Sequence, residues 1–140
     1  MKEIVFETGL ATYSLNGKCE VTFNPTDSNF VKRLYEAFEH LDKRQEEYQK
    51  EIDGIKDQKK IFDIAESRDR EMREIVDSVF GADVCDKLVG DTNIYALANG
   101  LPIWCNLLLS IMDEIDTSFA REQKVTNTRI AKYTSKYHKK

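Results

Sequence analysis

Apolar side chains recur every seventh residue at Leu34, Leu41, Tyr48, Ile55 and Phe62, with Phe38 and Ile52 each four residues after one of them. A spacing that alternates three and four is the signature of one face of an α-helix, so this region cannot be sheet. The seam is incomplete, because Gln45 and Lys59 fall where Phe38 and Ile52 set the pattern. The stretch 43–60 is charged and thinly apolar. Gly54 decides the topology. One glycine costs a continuous helix about 1 kcal/mol. Unbroken, residues 28–80 would form a rod of about 80 Å at the helical rise. Broken at Asp53-Gly54, they form two antiparallel helices, which suits a chain that must bury its own seam. The hairpin is the expectation, and the rod is the alternative an oligomer would support.

Residues 3–23 read as the β segment. Ile4-Val5-Phe6 is a short strand-prone run, and Asn16-Gly17 lies between two further runs, Leu10–Leu15 and Lys18–Phe23. Asn-Gly tolerates the positive φ that a type I′ turn demands, so a hairpin is expected there. Cys19, Val21 and Phe23 alternate with polar residues, giving one apolar face. Such a hairpin is marginal alone in water. It must join Ile4–Phe6, pack on a helix or pair with another copy. Thr26 or Asp27 then caps the first helix.

Ile61, Ile64, Met72, Ile75, Val76, Val79 and Phe80 form a helical stripe ending at Gly81, a suitable C-cap. A short helix is expected over 82–89, and a turn or short helix from Asp91 to Gly100. Pro102 opens a last helix expected to reach about residue 122, with Ile103, Trp104, Leu107, Leu108, Ile111, Met112, Ile115 and Phe119 on the apolar face that centres the core. The fold class is thus α+β and mainly α. Residues 1–123 form a single domain, with helices over 27–122, and 124–140 form a basic flexible tail.

Of 140 residues, 41% are hydrophobic, enough for a core. No apolar run reaches the roughly 18 residues a membrane helix needs. The opening MKEIVFETG carries acids where a signal peptide carries bases, so a cytoplasmic protein is expected. Cys19, Cys85 and Cys105 are widely spaced and form no CxxC pair, which suits reduced, buried thiols. With only His40 and His138 alongside them, no zinc or Cys/His catalytic signature forms, and nucleotide-binding and hydrolase motifs do not occur. Asp113, Glu114 and Asp116 lack the partners of a cation loop. No cofactor and no enzymatic activity are expected.

Charge is unevenly placed. Residues 1–123 hold 15 Lys/Arg and all 25 Asp/Glu, whereas 124–140 hold six bases and no acid. In that tail Arg129, Lys132, Lys136, Lys139 and Lys140 interleave with Tyr133 and Tyr137, a composition that can meet phosphates and stack on bases. A nucleic-acid-linked regulatory or adaptor role is therefore the alternative, although the acidic body weighs against it. An incomplete apolar seam completes itself against another helix. Leu34, Phe38, Leu41, Tyr48, Ile52 and Ile55 are the candidate partner-binding residues, and self-association is expected.

The order of these elements resembles the tail assembly chaperones of long-tailed phages and prophages of Gram-positive bacteria. The likeness runs through the Leu15-Asn16-Gly17 turn, the passage FNPTDSNFVKRLYEAFEHLDK (23–43), a charged helical middle, VFGADVCDKLVGD (79–91) and an Ile/Leu-rich last helix. Phe80-Gly81 and Leu88-Val89-Gly90-Asp91 resemble the family's FG and GD passage ahead of its last helix. The resemblance covers most of residues 3–120 and does not extend to the tail. It implies a non-enzymatic protein of the host cytoplasm that binds tape-measure and tail-tube proteins during tail assembly.

Overall fold

The structure is a computed structural model that describes residues 1–137, with side chains through residue 132. Strands β1 (Ala11–Leu15) and β2 (Cys19–Phe23) pair antiparallel, with Ala11 opposite Phe23 and Leu15 opposite Cys19. Asn16 (φ 53) and Gly17 (φ 66) both occupy the left-handed region, and the Lys18 N–H donates to the Leu15 carbonyl at 3.0 Å. The alternation aims Val21 and Phe23 into the core, while Thr12 and Thr22 bond each other at 2.9 Å on the solvent face. Stacked rings carry the hairpin onto the helices. Tyr13 lies 4.6 Å from Phe23, and Phe23 lies 4.3 Å from Phe30, centroid to centroid.

Helix α1 (Ser28–Ile52) is capped by Asp27, whose carboxylate accepts the Asn29 N–H at 2.9 Å. The chain breaks where expected. Asp53 is extended, Gly54 takes φ 80, and Asp57 caps α2 (Gln58–Phe80). The two helices form the antiparallel hairpin, not the rod. Phe30, Leu34, Ala37 and Leu41 of α1 face Met72, Val76 and Val79 of α2. Gly81, at φ 66, ends α2 by donating its N–H to the Asp77 carbonyl.

Helix α3 (Cys85–Val89) is shorter than the expected 82–89. Strands β3 (Leu97–Ala98) and β4 (Leu101–Pro102) then form a two-pair hairpin around Asn99-Gly100, where turns or a short helix were expected. Helix α4 (Ile103–Tyr137) lays Trp104, Cys105, Leu108, Ile111 and Ile115 over the α1–α2 hairpin. The fold is mainly helical α+β, as its sequence pattern required.

Two boundaries are corrected. Ile4-Val5-Phe6 forms no strand: β1 and β2 pair only with each other, and residues 1–10 are an exposed arm. The last helix does not stop near 122 but continues to Tyr137, through the segment expected to be a flexible tail. Neither Gly nor Pro follows Pro102 to stop it. His138, Lys139 and Lys140 lie outside the described residues. Among the described residues, no helix is long and apolar enough to cross a membrane.

Candidate interaction surface

The expected helical seam is largely consumed within the chain. Leu34 and Leu41 are fully buried in the core and offer nothing to another chain in this conformation. Phe38 is partly buried, edge-on to Trp104 with centroids 5.5 Å apart. Tyr48 is covered by the Arg68 guanidinium, 3.5 Å above its ring, and Tyr95 covers the other side of the same guanidinium at 3.4 Å. This sandwich bolts α1 and α2 to the loop ahead of β3, as cation–π stacking at such range does. Burial lowers the Arg68 pKa from its usual value, and the two tyrosines oppose that shift. Ile52 and Ile55 flank the break half-buried, with the Ile55 N–H on the Ile52 carbonyl.

Ion pairs fasten the rest of this face. Arg44 bonds Glu47 and, across to α2, Glu71 at 3.1 Å; both hydrogen bonds raise its pKa. Glu114, one of the acids weighed as a cation ligand, instead accepts bonds from the Tyr13 and Ser118 hydroxyls, each at 3.2 Å. Desolvation first, then Glu114, raises the Tyr13 pKa. Burial likewise pushes the Cys85 thiol up, which disfavours the reactive thiolate. Among the described residues, no group of three or more His, Cys, Asp or Glu is placed to hold a metal ion.

Among the described residues Tyr35, Phe62, Leu97, Leu101 and Leu109 are also exposed, and three further stretches of apolar surface are open. The first is the arm, where Ile4, Val5 and Phe6 are 85%, 83% and 76% exposed. The second is the outer part of α4. Its inward face ends at Ser118, which is fully buried, and every residue from Phe119 to Lys132 is exposed. Phe119, Val125 and Ile130 lie on this stretch at 47%, 55% and 59% exposure. Lys124, Arg129 and Lys132 sit among them, so part of the expected basic patch lies on a helix; of Lys136 only the backbone is described.

The third is a cleft of about 450 Å³ between the β1–β2 tip, α3 and the first turns of α4. Leu15, Leu88, Val89, Ile103 and Leu107 form its walls, over a floor that includes Trp104. Lys18 reaches across one rim to the Leu88 carbonyl at 3.5 Å. The passage 79–91 builds the α3 wall. Asp77 accepts the Val84 and Cys85 N–H groups at 3.0 and 2.9 Å, and Arg73 bonds Asp86 and the Gly90 and Thr92 carbonyls. Sequence reasoning missed the cleft, since its lining comes from five separate segments, 14–16, 76, 85–89, 94–98 and 103–111. Its lining is mainly apolar.

No protein-family model matches the chain, and no curated protein or solved structure matches it.

Proposed function

We propose that this chain is a tail assembly chaperone of the long-tailed phage and prophage kind, a non-enzymatic protein of the bacterial host cytoplasm. Its clients are a tape-measure protein and tail-tube subunits. The observation that carries the reading is the outer part of α4, a helix that leaves the body with Phe119, Val125 and Ile130 uncovered. A helix without tertiary support is marginal in water; Phe119 and Ile130 fall on one side of this one, about three turns apart, with Val125 about a third of the way round. A long, aggregation-prone helical client supplies that support along its length. The charged remainder of the surface keeps the complex dissolved. The resemblance of residues 79–91 to that family's passage ahead of its last helix supports the same reading.

The test is co-expression with the tape-measure and tail-tube proteins of a matching tail gene cluster, followed by size exclusion with light scattering. Co-elution with the tape-measure protein, lost in a Phe119→Ser/Val125→Ser/Ile130→Ser variant, is the expected result. A chain that elutes alone beside both clients contradicts the proposal.

A further inference from the structure

Helix α4 becomes two-sided in charge once it leaves the body. At about 100° per residue, Arg121, Lys124, Arg129, Lys132 and position 136, also a lysine, fall within one arc of about 140° around its axis. Phe119 and Ile130 lie on the opposite side. Glu122, the one acid of residues 119–137, stands at the margin of the arc. From 121 to 136 the row is about 22 Å long. The Arg121 guanidinium donates to the Ser118 hydroxyl at 3.3 Å, which fixes where the row begins. Every residue from 119 to 132 is exposed, so this face is open to solvent.

We infer that this face of α4 binds duplex DNA through its phosphates, without regard to sequence. A one-sided row of cations calls for a ligand with a row of anions. A second copy offers no such row on α1 and α2, where Glu36, Glu47, Glu66, Asp69 and Glu71 each already pair with a Lys or Arg of their own chain. A duplex carries one negative charge per about 1.7 Å of axis, so about 13 phosphates lie abreast of the row. An α-helix about 10–12 Å across enters the major groove of B-DNA, about 12 Å wide, whereas the major groove of duplex RNA is deep and narrow. The acidic body does not forbid this. Ser118 is the last buried residue of α4, and Lys124 lies about 9 Å beyond it along the axis, position 136 about 27 Å. Both distances exceed the Debye length of about 8 Å at physiological ionic strength, so the body's acids are screened from a polyanion held there. The inference stands apart from the chaperone reading, because it uses the side away from Phe119 and Ile130 and needs no protein client.

The experiment uses the full chain and a short fluorescent DNA duplex of mixed sequence, with anisotropy followed as KCl is raised. Four phosphate contacts predict a log–log slope of about −3.6, which is a loss of about 100-fold between about 50 and 200 mM salt. Lys124→Gln/Arg129→Gln/Lys132→Gln/Lys136→Gln should bind at least about tenfold more weakly at the lower salt. Each of the four changes made singly should flatten the slope by about one. Lys43→Gln/Lys50→Gln/Lys56→Gln/Lys60→Gln makes the same change in net charge on the body and should bind within about twofold of wild type. Melting followed by circular dichroism should match wild type for both fourfold variants, since the altered positions that carry a burial class are exposed. A duplex of unrelated sequence should bind equally well. No anisotropy change at low salt, a loss as large in the body variant as in the α4 variant, or displacement by polyglutamate as effective as by unlabelled duplex would each overturn the inference, the last by assigning the face to an acidic protein.

Discussion

Replacing Arg73 with alanine should be the most damaging single change to the wall of the cleft. Its guanidinium Nε bonds Asp69 at 3.0 Å, and the pair is largely sealed from water, with the side chains 14% and 18% exposed. Nη2 also donates to the Gly90 and Thr92 carbonyls at 2.6 and 2.7 Å. The Asp86 contact adds little, since Asp86 is 70% exposed and such pairs are screened by water. Stripping one member from a buried pair costs about 3–5 kcal/mol. Asp69 keeps one partner, because it still accepts the Ile94 N–H at 2.7 Å, so the lower end applies. A loss of about 3 kcal/mol lowers the melting temperature of a domain this size by about 10 °C. Arg73→Lys keeps the charge but loses the fork, and should fall about half as far. Thermal and urea unfolding followed by circular dichroism measure both variants. An Arg73→Ala protein within about 0.5 kcal/mol of wild type, the range of ordinary surface changes, would refute the clamp.

Two further outcomes are expected. Gly54→Ala should cost about 1–2 kcal/mol in urea unfolding, because φ 80 strains an L-residue although nothing stands near the added Cβ; Gly54→Asn should cost less. Tyr95→Phe should leave stability at pH 7 unchanged or raise it, since the Tyr95 hydroxyl is buried without a hydrogen-bond partner. The same variant should flatten the alkaline limb of the stability profile. Burial raises the folded-state pKa of Tyr95 above the usual 10, so the folded chain keeps the phenol neutral to higher pH than the unfolded chain does. That contribution is whole below about pH 10 and is lost as pH climbs towards the folded value. Wild-type and variant melting curves that stay parallel from pH 8 to above pH 10 would contradict it.

Local chemistry made some elements readable and left others hidden. Asn16-Gly17 announced its hairpin because five pairs of alternating residues flank it. Asn99-Gly100 adopts the same left-handed pair of angles, yet only two residue pairs flank it, too few for a strand pattern. The heptad spacing correctly placed Leu34 and Leu41 on one face, but spacing names a face and not its partner; that partner is the chain's own core. Tyr48 went to Arg68, twenty positions away in sequence and invisible to a helical count. The Arg73 and Asp77 networks are equally long-range, reaching backbone groups up to 19 positions on. Val125, Thr126, Thr128 and Ile130 lower helix propensity, which hid the extension of α4. The arm read as a strand because strand propensity cannot say whether a neighbouring strand exists.

The account rests on apolar surface that this chain leaves for others, most plainly along α4 beyond Ser118. Amide hydrogen exchange over residues 119–132, measured for the chain alone and again with a soluble tape-measure fragment in excess, tests it directly. Fast exchange in the free chain, slowed at least about tenfold across that stretch in the complex, is the predicted result. Rates that are the same with and without the fragment would contradict it.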